Sequence, residues 1–199
     1  YRWNYTNYNG EREILFHEFS HWSHAISAGR NYWKKVCKGE GENVFNTLAP
    51  PNRLDYADPY RDGTQPTISV AANIGYAEAW AEFMGWVICT NYSVGSVNPL
   101  MENFEPQAIP HSYMNGGFNY NSWMPIGLFW DLWDSQNELN QKSINHGPVV
   151  RDCFTLPLPY LFSKLQGAES VKGFKTNILA TTPVNERECM DQLFKAYGY

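Results

Sequence analysis

The chain has 199 residues, 15 Lys and Arg against 20 Asp and Glu, a net charge of −5 and 43% hydrophobic residues. That length suits one domain with its own core, while the acidic balance and the lack of any basic run speak against nucleic acid or an anionic membrane as partner. No apolar run approaches the roughly 18 residues of a membrane span.

Tyr1 to Gly10, rich in Asn and Tyr, reads as an extended lead-in or an edge strand. A first helix is predicted over Glu11 to Ala28. Glu11 and Glu13 suit the positive end of its dipole, and Gly29 follows as a stop signal. Ile14, Leu15, Trp22, Ala25 and Ile26 supply its apolar positions. A short helical piece, Tyr32 to Cys37, comes next. Glu40 to Thr67 holds Pro50, Pro51, Pro59 and Pro66 among Asp, Asn and Gly, and reads as a long ordered loop. Asp55, Asp58 and Asp62 within it lack the spacing of a helix-loop-helix calcium site and read as turn residues.

A second helix is predicted over Val70 to Cys89. It is rich in small and aromatic residues, as a buried helix should be, yet carries Glu78 and Glu82. Asn91 to Phe118 is irregular, with Pro99, Pro106, Pro110 and Gly116-Gly117. A third helix starts near Pro125, a good first-turn residue, and runs to Asp134. Three shorter helices follow, over Pro157 to Gln166, Glu169 to Leu179 and Asn185 to Tyr197. Strand-like alternation is nearly absent. The expected fold is therefore mainly α with little or no β-sheet, in one domain spanning 1–199. The four cysteines, Cys37, Cys89, Cys153 and Cys189, contain no Cys-x-x-Cys pair. They fit two disulfides of a secreted protein or four buried thiols.

The chemistry begins at His17-Glu18-Phe19-Ser20-His21. On a helix, positions four apart lie about 40° from each other on one face, roughly 6 Å apart. His17 and His21 therefore suit one metal ion, and Glu18 points to the side, where a carboxylate base would meet a water on the ion's open position. A catalytic zinc site needs a third protein ligand. His24 is close in sequence, but it lies about 10.5 Å along the axis from His17, too far for one ion to bind both. Glu78 and Glu82 share a face of the second helix, and such a pair is costly among apolar neighbours unless occupied. That reading makes Glu78 the third ligand and Glu82 the acceptor of a hydrogen bond from a ligand histidine.

His17-Glu18-x-x-His21 followed by Glu78-x-x-x-Glu82 on a downstream helix resembles the gluzincin metallopeptidases, and Glu78-Ala79-Trp80-Ala81 is similar to the corresponding text of secreted bacterial zinc peptidases of the His-Glu-x-x-His type. The resemblance implies a zincin-like helical catalytic domain, a zinc cofactor, a peptide or protein substrate, and a secreted or extracellular location. Two departures stand beside it. Glu82 occupies a place where the best-known gluzincins carry Asp, and little sequence precedes the first helix where zincins have a β-sheet. The chain is accordingly expected to be part of a longer protein with an N-terminal partner domain.

The expected reaction is hydrolysis of a peptide bond by water, with Glu18 as general base and then as proton donor to the leaving amine. An oxyanion needs a further donor. Tyr76, His111, Tyr113, Tyr120 and His146 are the candidates, with Tyr113 and His111 preferred because both sit in the Gly-rich segment. Two other possibilities remain open on the sequence. One is a non-catalytic carbohydrate- or protein-binding module that uses exposed Trp and Tyr. The other is a degenerate zincin that binds metal only.

Overall fold

The structure, a computed structural model, describes residues 8–47, 68–92, 111–115, 118–122, 126–134, 154–196 and 199. Among them the chain is mainly helical. The helices are α1 (Tyr8–Ala28), α2 (Arg30–Thr47), α3 (Ile68–Tyr92), α4 (Ile126–Trp133), α5 (Leu158–Lys164), α6 (Val171–Leu179) and α7 (Arg187–Ala196). One antiparallel pair, β1 (His111–Asn115) and β2 (Phe118–Ser122), lies between α3 and α4 in sequence.

The second predicted helix is the centre of the fold. Along α3, Ile74, Tyr76, Ala77, Ala79, Trp80, Ala81, Phe83 and Val87 are all buried. These positions go right round the helix, so it is enclosed by its neighbours rather than laid on them. Its contacts run to α1, α2 and α4. Tyr76 and Phe83 both stack on Phe129 of α4, and Phe129 in turn meets Phe174 of α6. One aromatic cluster thus joins α3, α4 and α6. Aromatic pairs of this kind contribute beyond the area they bury.

α1 lies along α3 in the opposite direction, since His17 meets Glu78 and Glu82 while Tyr32, beyond the end of α1, donates to the carbonyl of Asn73. The turn from α1 to α2 is made at Gly29, whose φ of 101° is a conformation that side chains with a Cβ rarely adopt. The C-terminal helices fasten onto this corner. Gly167 donates to the carbonyl of Ser27, and Asn73 and Lys35 both bond Glu169.

Several boundaries differ from the sequence expectation. α1 starts at Tyr8, so the end of the expected lead-in is helical. α2 reaches Thr47, where only a short helical piece ending at Cys37 was expected and Glu40 onward was expected to be loop. Part of the Asn91–Phe118 stretch forms β1. Gly116-Gly117 falls outside the described residues. The rest of the expected long loop, with Asp55, Asp58 and Asp62, falls outside the described residues, as does His146.

The largest correction concerns the orientation of α1. Leu15, Trp22 and Ile26, expected as its apolar positions, are exposed, as is Phe19. Ser20 and His24 are buried instead. The polar face of α1 is turned inward because the acidic residues of α3 lie opposite it. Cys189 is disulfide-bonded and Cys37 is an exposed thiol. The four cysteines therefore form neither two disulfides nor four buried thiols.

Candidate metal centre

Three side chains from two helices converge where α1 crosses the middle of α3. His17 and His21 stand one helical turn apart, and their Nε2 atoms approach to 3.0 Å. Glu78 faces both. One carboxylate oxygen lies 3.3 Å from His17 Nε2 and the other 3.3 Å from His21 Nε2. One ligand atom from each of the three residues fits within 4.8 Å of the others. All three residues are half-buried. This His-His-Glu group could hold a metal ion.

Glu82, one turn further along α3, takes the other side of His17. Its Oε2 lies 3.1 Å from His17 Nδ1. Its Oε1 accepts a hydrogen bond from the indole N–H of Trp86 at 3.1 Å. With both oxygens engaged, the Glu82 carboxylate is fixed in direction. It thereby favours a proton on His17 Nδ1, which would leave Nε2 as the nitrogen that a metal ion could take in exchange for its proton. Trp86 was not among the residues expected at the site. Its position four residues after Glu82 was the available signal, hidden among the many aromatics of α3.

The electrostatics follow from this crowding. Burial alone would strip charge from His17, but the carboxylates of Glu78 and Glu82 outweigh it and raise its pKa to about 10. Burial likewise works against ionised Glu78, and the hydrogen bonds from His17 and His21 overcome it and lower its pKa to about 2. In the absence of an ion, a proton held between anionic and imidazole groups supplies the positive charge that the pocket requires.

Glu18 is exposed and follows His17 directly. At 100° round the helix, it stands beside the ligand face rather than in it. Tyr76, one of the candidate oxyanion donors, is buried among aromatic rings and so does not present its hydroxyl to an open cleft. His111 and Tyr113 lie on β1, opposite Ser122 and Tyr120 of β2. Their side chains lie outside the described residues. His24 is wholly buried, three residues beyond His21 and outside the group that could hold the ion.

Comparison with protein-family models, with curated proteins and with solved structures finds no match.

Proposed function

We propose that the chain is a zinc-dependent peptidase of the gluzincin kind, with His17, His21 and Glu78 as ligands and Glu18 as general base. The observation that carries this reading is the convergence of His17, His21 and Glu78, with Glu82 braced behind His17. Zinc bonds to imidazole nitrogen and carboxylate oxygen are about 2.0–2.1 Å, so two ligands on a tetrahedral ion stand roughly 3.3 Å apart. His17 Nε2 lies 3.0 Å from His21 Nε2 and 3.3 Å from one Glu78 oxygen, while His21 Nε2 lies 3.3 Å from the other Glu78 oxygen, so each neighbouring pair stands near that spacing. Two histidines and one carboxylate also form a ligand set typical of zinc hydrolases, with a position left for water.

A bound zinc ion supplies Lewis acidity, lowering the pKa of water toward neutrality and polarising a carbonyl. The remaining work falls to side chains. Glu18, exposed beside the ligand face, takes the proton of the attacking water and passes it to the departing amine. Glu82 holds His17 in one tautomer, and Trp86 holds Glu82. His111 and Tyr113 are proposed as donors to the oxyanion. The disulfide at Cys189 supports a secreted location.

The test is cleavage of a peptide library by the wild-type protein and by Glu18→Gln, each with and without chelator. The wild type should cleave, chelator should abolish cleavage, and Glu18→Gln should retain its metal while losing activity by at least about 100-fold. Cleavage by Glu18→Gln at the wild-type rate would refute the role of Glu18. Metal binding with no cleavage by either protein would leave a metal-binding protein without peptidase activity.

A further inference from the structure

Directly behind His21 lies a group of polar atoms that the metal centre does not use. His24 is wholly buried, and neither of its ring nitrogens has a hydrogen-bond partner among the described residues. The hydroxyl of Tyr76, the indole N–H of Trp80 and Nδ1 of His21 are also buried and unpartnered. The rings concerned are close neighbours. His24 meets Tyr76 edge-on at 4.8 Å between centroids and Trp80 at 6.4 Å. Trp33 lies against both His21 and His24, at 5.5 and 6.5 Å. Burial keeps His24 neutral, lowering its pKa to about 3, with the neighbouring His21 adding to the effect.

Buried polar atoms in native proteins almost always find partners, and several orphans in one aromatic pocket therefore need a common explanation. The hydrogen-bonding roles can be counted. His21 bound to a metal through Nε2 must carry a proton on Nδ1, which makes that atom a donor. Trp80 donates, Tyr76 donates and accepts, and neutral His24 donates through one nitrogen and accepts through the other. A water molecule both donates and accepts twice, and buried waters typically bond two to four such groups. Metal-binding histidines nearly always donate their second N–H to an acceptor. His17 has Glu82 for that purpose, and among the described residues no side chain takes the same role for His21.

We propose that His21, His24, Tyr76 and Trp80 enclose an internal water site, and that the water held there by His24 and Tyr76 accepts the Nδ1 proton of His21 and sets its tautomer for the metal. His24 is then a positioning residue. It corresponds to Glu82 on the other histidine, with a neutral, water-mediated contact in place of a direct anionic one. The second half of the proposal rests on the metal reading; the water site itself does not.

The water site is tested in the metal-free protein. Heteronuclear NMR of the histidine rings should show cross-relaxation from the rings of His21 and His24 to a long-lived internal water. A ring pair with no such water signal would overturn the site. The positioning role is tested by zinc competition against a chromophoric chelator. His24→Phe, which keeps the ring and removes both nitrogens, should bind zinc about 10- to 100-fold more weakly than wild type. His24→Gln, which retains a donor and an acceptor, should recover most of that loss. Tyr76→Phe removes only the hydroxyl, and should weaken binding even if His24→Phe does not fold. Equal affinity in the wild type, His24→Phe and Tyr76→Phe, or no recovery in His24→Gln, would overturn the role. Failure of the wild type itself to bind zinc would instead refute the metal reading, and the water site would then stand or fall on the NMR result.

Discussion

Glu78 and Glu82 are four residues apart on the same helix, yet the structure gives them different tasks. Glu78 spans the two Nε2 atoms, while Glu82 reaches only the back of His17. Glu78→Ala should therefore remove most of the zinc affinity. Glu82→Ala should cost about 10- to 100-fold, the usual effect of losing a partner behind a ligand. Both are read from zinc competition titrations, and the reverse order would make Glu82 the ligand. The metal-free protein should also reveal the site in its pH dependence. The folded-state pKa of His17 lies near 10 against an ordinary 6.5, so its contribution is complete below pH 6.5 and fades as the pH rises through 10. Glu78 lies near 2 against 4.5, so its contribution is complete above pH 4.5 and fades as the pH falls through 2. The two shifts describe one interaction from both ends and count once, on the order of 3 kcal/mol. Urea unfolding should show greatest stability from these groups between pH 4.5 and 6.5. His17→Gln should flatten the alkaline decline, and an unchanged decline would contradict the assignment.

At the scale of elements, the site depends on how two helices are brought side by side. The two pairs of ligand-side residues, His17 with His21 and Glu78 with Glu82, were legible in the sequence because helical spacing puts each pair on one face. Which face of α1 would turn inward was not legible. Leu15, Trp22 and Ile26 are the large apolar residues, and hydrophobic periodicity alone assigns such a face to the core. The structure exposes them and buries Ser20 and His24, a choice made by the tertiary partner α3 rather than by α1 itself. The hairpin was missed for a related reason, since short strands beside prolines lack a clear period. Gly29 does end α1, as its place in the sequence suggests. It also sets the path into α2, which carries Tyr32 and Trp33 back toward His24 and His21. A Cβ at Gly29 would meet nothing within 4 Å, so Gly29→Ala isolates the backbone cost of φ 101°. It should destabilise the protein by about 1–2 kcal/mol in urea unfolding. No loss of stability would show that the turn can be made another way.

Across the whole molecule, an aromatic core fixes the helices, and the polar residues between α1 and α3 form the group that could hold a metal ion. Phe83, Phe129 and Phe174 are fully buried in the core, whereas His17, His21 and Glu78 are only half so. The chain has 8 Trp, 13 Tyr and 11 Phe, and the described part of the structure uses many of them as core. The central claim is that one ion is held by two imidazoles and a carboxylate. Zinc-edge X-ray absorption on protein loaded with one equivalent of zinc tests it most directly. The expected spectrum shows four light scatterers at about 2.0–2.1 Å, two of them with the multiple-scattering pattern of imidazole. The imidazole pattern should remain, and affinity should collapse, in Glu78→Ala. A sulfur scatterer near 2.3 Å, or a shell without imidazole, would contradict the claim.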